Sequence, residues 1–370
     1  MTQLDITSNK AGERLYSLDF FRGLTMFLLI AEFNSLFTLM TSPGIEGTLL
    51  YTIGKQFSHH PWNGLRFWDL IQPFFMFIVG VAMPYSLANR LKRGQAQRQI
   101  RNHMLNRAGL LLLFGWALAC IGDGKIVFQF QNVLAQLSVT YLLAFLVMNK
   151  PVRTQIIFSF LLIAITEIIY RVFPVEGFNH PFVANENFGT WLDLQYGGAN
   201  LTGHWVSFNA IPTAAHTIWG VLAGKLLMSD RSAKEKLKIL VIAGLIGVVI
   251  GYALDPVTPI IKRICTSSFI FVSGGWTILS LAFSYWLIDI KKQKKWSLLF
   301  AIVGMNPLFI YLFAHVGGGR FIEHIIYPFS MAIFGWMGEL TANIITSALV
   351  LFFLWYICYW LYKRKIFIRI

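Results

Sequence analysis

The sequence predicts an all-α protein, a polytopic transmembrane bundle of about ten spans with both termini in the cytoplasm. Three observations lead there: the composition, the recurrence of long apolar stretches and the placement of the cations. Of 370 residues, 56% are hydrophobic and 13% charged, and the mean hydropathy is +0.60, so there is too little polar matter for the solvated surface of a soluble globule. A bilayer core takes about 20 apolar residues per helix, and such stretches recur at roughly 17–40, 67–89, 104–121, 132–148, 155–172, 207–228, 237–254, 266–289, 297–316 and 341–362. The alternation of a membrane β-barrel is not seen. No repeat or low-complexity tract divides the chain, which reads as a single domain over 1–370.

The elements follow in order. The polar leader 1–16 lacks the apolar core of a removable signal peptide, so the first apolar stretch is expected to remain as a helix. Between Arg90 and Arg107 stand Arg90, Lys92, Arg93, Arg98, Arg101 and Arg107 without one acid, and the positive-inside rule puts this connection in the cytoplasm. Alternation then brings Lys150 and Arg153, the 231–238 stretch, Lys291 to Lys295 and the basic tail 363–370 to the same side. It sends 41–66 and 173–206 outside, together with the loop holding Lys262 and Arg263. The segment 321–336 is short and contains Glu323, His324 and Pro328, and it reads as a re-entrant or surface helix. The excess of 31 Lys+Arg over 17 Asp+Glu is explained by this topology, and no nucleic-acid partner is expected. Cys120, Cys265 and Cys358 lie far apart without CxxC spacing, which implies neither a disulfide framework nor a metal site.

Ionisable side chains within spans cost about 2.5 kcal/mol or more at the bilayer centre, so each asks for a partner or a cavity. Asp19 and Arg22, three apart on one helix face, can pair with each other. Glu32, Glu167 and His216 are further cases. The richest stretch is 58–84, SHHPWNGLRFWDLIQPFFMFIVGVAMP, where two histidines, Trp62, Asn63 and Asp69 precede a long apolar helix. A neutral imidazole there can take a proton or act as a nucleophile, and a carboxylate such as Asp69 can orient it. The bland alternative is a pair of ordinary surface histidines.

Four ordered segments carry a resemblance: RLYSLDFFRGLTMFLLI (14–30), HHPWNGLRFWDLIQPFFMFIVG (59–80), PIIKRICTSSFIFVSGG (259–275) and VGMNPLFIY (303–311). Together they resemble the heparan-α-glucosaminide N-acetyltransferase family and its bacterial relatives among the transmembrane carbohydrate acyltransferases. The resemblance implies a bacterial inner-membrane enzyme that takes acetyl from acetyl-CoA on the cytoplasmic side and delivers it to the amine of a glucosamine on the other, with no metal. In the family's HxxWNG pattern the active-site histidine is His59 here, acting as general base or as acyl carrier. Asn63 and Asp69 would serve with it, and Trp62, His60, Asp19 and Arg22 would meet the sugar. Asn306, Ser267 and Ser268 are candidate donors to the thioester oxygen. Arg107, with Arg101 behind it, is the candidate for the phosphates of acetyl-CoA. One departure stands at 132–137, where the family's arginine is replaced by Gln136. A sugar transporter is the rival reading, and a homodimer is compatible with either.

Overall fold

A computed structural model describes residues 15–196 and 198–368. In chain order it contains α1 (Tyr16–Glu32), the short α2 (Leu36–Leu39) and α3 (Leu49–Gln56), α4 (Ile71–Lys92), α5 (Gln97–Asp123), α6 (Val133–Val147), α7 (Val152–Val172), the short α8 (Phe188–Gln195), α9 (Ala210–Met228), α10 (Ala233–Leu254), α11 (Ser267–Ser284), α12 (Ser297–Val303), α13 (Pro307–Phe313), α14 (Gly319–Phe334) and α15 (Glu339–Lys363). Among the described residues there is no β-strand, and the expected all-α class holds. Six helices are long and apolar enough to cross a bilayer, and α12 with the run from Pro307 to Met337 forms a seventh candidate bent by 69°.

Two expected spans are broken. The stretch 17–40 is not one helix: α1 stops at Glu32, Ser35 turns left-handed at φ 63°, and the Asn34 side chain accepts from Leu36 N (3.2 Å) and donates to Ser347 O (3.0 Å). The stretch 297–316 breaks at Gly304–Asn306, because Pro307 opens α13 and its ring, lacking an N–H, pushes the preceding residue out of the helical region. The second half then runs on through 321–336, which the sequence reading set apart. A π-helical stretch at Ala314–Gly318, with Gly317 at φ 101°, interrupts it.

The chain divides into two compact units. One comprises Pro61–Leu65 and Gln72–Trp286 with the described residues up to Leu18; the other comprises Asp19–His60, Arg66–Ile71 and Leu287 onward. Within the first, α9 packs on α4 by backbone contact. A Cβ on Gly220 would lie 2.2 Å from Phe77 O, one on Gly80 would lie 2.0 Å from Thr217 O, and one on Gly224 would lie 2.5 Å from Val81 O. Small residues four apart permit this approach, the packing device that apolar helices use where lipid removes the hydrophobic drive. The same logic joins α10 to α11, where Cβ atoms on Gly244, Gly247 and Gly251 would meet Leu279, Gly275 and Val272. Within the second unit α1 crosses α12 at Gly23, whose Cβ would lie 2.0 Å from Phe300 O.

Cys120, Cys265 and Cys358 are free thiols. Cys265 lies in the connection between α10 and α11, and burial pushes its thiol up to about 12.

Replacing Gly220 by Leu drives a side chain into the Phe77 carbonyl, an overpacking that costs about 1–3 kcal/mol or more. The thermal midpoint of purified Gly220→Leu is expected to fall by several degrees or the protein to be lost as a monodisperse species. Gly122→Ala, at a position with no atom within 4 Å of the new Cβ, is expected to leave the midpoint unchanged.

Candidate functional site

The segment 58–66 is held out of helix by its own residues. Pro61 has no N–H to give, and Gly64 sits at φ 142°, a conformation that disfavours a Cβ. At Arg66 the chain turns into a single 3-10 turn, Phe67–Leu70, which continues into α4.

In the second unit His59, His60 and Arg66 gather around Asp69, whose exposure is 1%. The Asp69 Oδ2 accepts the Arg66 N–H (2.9 Å) and the His60 N–H (3.2 Å), and its Oδ1 lies 3.0 Å from His59 Nδ1. A carboxylate only accepts, so His59 Nδ1 carries the proton and Nε2 carries the lone pair. The His59 side chain is 30% exposed. Its backbone is fixed as well, because the Arg66 guanidinium donates to His59 O (3.0 Å) and Ser58 Oγ (2.7 Å). The next residue of the same turn, Trp68, donates its indole N–H to Glu32 Oε1 at 3.0 Å. An imidazole with one nitrogen pinned and the other basic is the arrangement of a general base.

His60 does not share that arrangement. Its main-chain N–H reaches Asp69, while its ring Nδ1 is buried without a hydrogen-bond partner among the described residues. Burial and then the neighbouring Arg66 charge hold its imidazole below the ordinary histidine range, against a smaller upward pull from Asp69. It therefore stays neutral near neutral pH.

Trp62 and Asn63 belong to the first unit. The Trp62 indole donates to Phe182 O (2.7 Å), and its ring meets His204 edge-on at 5.9 Å. Asn63 forms an isolated antiparallel bridge with Ile261, followed by Gly64 N donating to Ile260 O at 2.8 Å. Beside them Trp205 is flanked by Lys262 and Arg263, each 5.3 Å from its ring centre. His204 and Asn185 both adopt left-handed backbone, at φ 57° and 64°, and their side chains face each other at 3.0 Å. Such strained polar residues cluster where a loop is built for use. The pairing of Trp205 with Lys262 and Arg263 was hidden by the distance along the chain.

Other expected site residues are placed elsewhere. The Ser267 hydroxyl donates to Glu167 Oε2 (2.8 Å) and Ser268 Oγ shares a hydrogen with Thr266 Oγ1 (3.1 Å), so both hydroxyls are engaged in holding the start of α11. Glu167 also receives Arg171 Nε (2.7 Å) and Thr258 Oγ1 (2.7 Å). Asn306, in the second unit, donates to Ile366 O (2.9 Å) and accepts from Ile368 N (2.7 Å); its amide fastens the C-terminal segment. Asp19 and Arg22 form the anticipated ion pair at 2.7 Å. Arg107 lies over the buried Tyr141 ring at 5.2 Å, and its Nε is buried without a hydrogen-bond partner. Gln136 is 1% exposed and accepts a close amide hydrogen bond from Gln72. Among the described residues no three His, Cys, Asp or Glu side chains gather as a metal site.

Comparison with known proteins adds a lineage. The family profile described as "Heparan-alpha-glucosaminide N-acetyltransferase, catalytic" matches residues 14–251. Heparan-alpha-glucosaminide N-acetyltransferase of Homo sapiens is 24% identical over 96% of this chain, which spans 60% of that protein's length. The protein of the same name from Mus musculus is 29% identical over 36% of this chain and 19% of its own length.

Arg66→Leu removes the donor shared by Ser58 Oγ and His59 O. Losing a charged hydrogen bond of about 1.5–3 kcal/mol is expected to speed amide exchange at His60 by roughly tenfold or more, measured by hydrogen–deuterium exchange on the peptide covering 58–66.

Proposed function

We propose, from the premise that the chain belongs to the heparan-alpha-glucosaminide N-acetyltransferase catalytic family, that it is a transmembrane acetyltransferase which moves acetyl from cytoplasmic acetyl-CoA to the amine of a glucosamine on the far side of a bacterial inner membrane. The observation that carries this reading is the contact between His59 Nδ1 and Asp69 Oδ1. With Nδ1–H held, Nε2 takes the proton of the attacking amine as its nitrogen bonds to the thioester carbonyl. The carbon–sulfur bond then breaks, and the imidazolium returns the proton to the CoA thiolate. Asp69 stabilises the transient imidazolium by its opposite charge. In this direct transfer no acyl group rests on the histidine.

The remaining assignments follow the same reading. The Trp62 ring offers a face for a pyranose, and Asn63, exposed and one position on, helps to place the acceptor. His60, two positions before Trp62 in the sequence, offers the acceptor a neutral ring. Arg107, about three turns into α5 from the basic connection, meets the phosphates of acetyl-CoA. The topology has ten spans in one acyltransferase domain. The seven long candidates are joined by α1, α6 and α9, of 17, 15 and 19 residues, and five basic clusters share the cytoplasmic side with both termini.

In membranes given acetyl-CoA and glucosamine, release of free CoA with formation of the N-acetylated sugar is expected, and His59→Ala is expected to abolish both. Uptake of labelled sugar without acetylation would replace the reading by a transporter. Asp69→Asn is expected to lower kcat and to move the acid limb of the pH–rate profile to lower pH, because the imidazolium loses its counter-charge; His60→Gln should leave that limb in place. Arg107→Ala is expected to raise KM for acetyl-CoA more than it lowers kcat, and the opposite pattern would remove it from the co-substrate site.

A further inference from the structure

A second binding place lies in the first unit, where the basic connection joins α4 to α5. A cavity of about 290 Å³ opens there between α4, α5 and α6. Leu87, Ile100 and Phe145 form its apolar wall, and Gln97, Arg98, Arg101 and Asn149 supply its polar one. Leu87 and Ile100 are buried, at 7% and 2% exposure, whereas both arginines are exposed. Among the described residues neither arginine has a hydrogen-bond or ion-pair partner, and no acid stands anywhere in residues 90–107 to neutralise them. Topology alone accounts for cations at this end of the helices. It does not account for a cavity with two of them on its wall.

The neighbouring surface says what kind of anion fits. Arg98, Arg101 and Leu105 follow one another at helical spacing along one side of α5, and Leu105 is 49% exposed. Leu91 on α4 and Leu146 on α6 are exposed as well, at 38% and 66%. Every lining residue stands within about one or two helical turns of a polar connection, which is the depth of a lipid headgroup. Guanidinium groups at that depth offer bidentate bonds to a phosphate, and the leucines one turn deeper offer contact to acyl chains. A nucleotide phosphate would satisfy the arginines and leave the leucines without a counterpart.

We infer that this cavity binds the phosphate headgroup of an acidic phospholipid, with the acyl chains lying against the exposed leucines of α5 and α6. Arg101, expected from the sequence to stand behind Arg107 toward acetyl-CoA, lines this cavity while Arg107 does not, and the inference stands whether or not the transfer reading holds. The test is native mass spectrometry of the whole chain, delipidated in detergent and offered equal amounts of phosphatidylglycerol or phosphatidylcholine with the same acyl chains. Wild type is expected to retain phosphatidylglycerol with about a tenfold preference, near 1.4 kcal/mol. Arg98→Gln/Arg101→Gln is expected to abolish the preference at an unchanged lipid-free thermal midpoint. Arg98→Lys/Arg101→Lys, which keeps the charge and loses the bidentate fork, should retain part of it; if the Gln variant proves unfolded, the reading rests on this Lys variant weakening the preference. Equal retention of the two lipids would overturn the inference, as would an undiminished preference in the folded variants. Displacement of phosphatidylglycerol from wild type by acetyl-CoA would also overturn it and hand the cavity to the co-substrate.

Discussion

The buried carboxylate of Asp69 is the constraint on which the ordering of residues 58–71 depends. A carboxylate removed from water must be surrounded by donors or it destabilises the fold by several kcal/mol. Asp69 meets that demand with two main-chain N–H groups and one imidazole N–H. The same oxygens therefore cap the first turn leading into α4, fix the path of the preceding loop and set the tautomer of His59. Aim and proton inventory of the imidazole are thus decided by a group that is itself part of a long helix's beginning, a firmer support than a surface loop provides. Arg66 completes the arrangement from the outside of the turn.

Glycine does for the scaffold what Asp69 does for the loop. In an apolar surrounding helices gain little from burying leucine against leucine, and close backbone approach supplies the missing contact. The glycines on α9 and α10 give two such lines within the first unit. Close approach to α4 leaves α9 largely enclosed, with Thr213, His216 and Thr217 among its buried residues; His216 reaches Ile270 O and Ser273 Oγ of α11.

Much of this was legible in the sequence, and the pattern of what was not is informative. Helix identity is a property of short windows, and it agrees with the structure over most of the expected stretches. His59 and Asp69 were readable together because both lie inside one stretch of eleven residues. Breaks were missed at Ser35 and Asn306 because hydropathy averages over a window, whereas a left-handed residue or a following proline acts at a single bond. The bond from Ser267 to Glu167, a hundred positions earlier, was not legible because no local rule links the two. Lys262, Arg263 and Trp205 escaped for the same reason. The role of Arg66 had a signal in hindsight, since a carboxylate three residues after the start of a helical turn is the spacing of a cap.

The bent segment at Gly304–Asn306 has one further effect. Interrupting a helix leaves amide and carbonyl groups without their usual partners, and beside this break the Asn306 side chain clasps the stretch that follows α15, at Ile366 and Ile368. Ile366 and Ile368 are consequently a structural stitch, so an affinity handle or fluorescent fusion joined directly after them would tug on the kink itself, and a spacer relieves it.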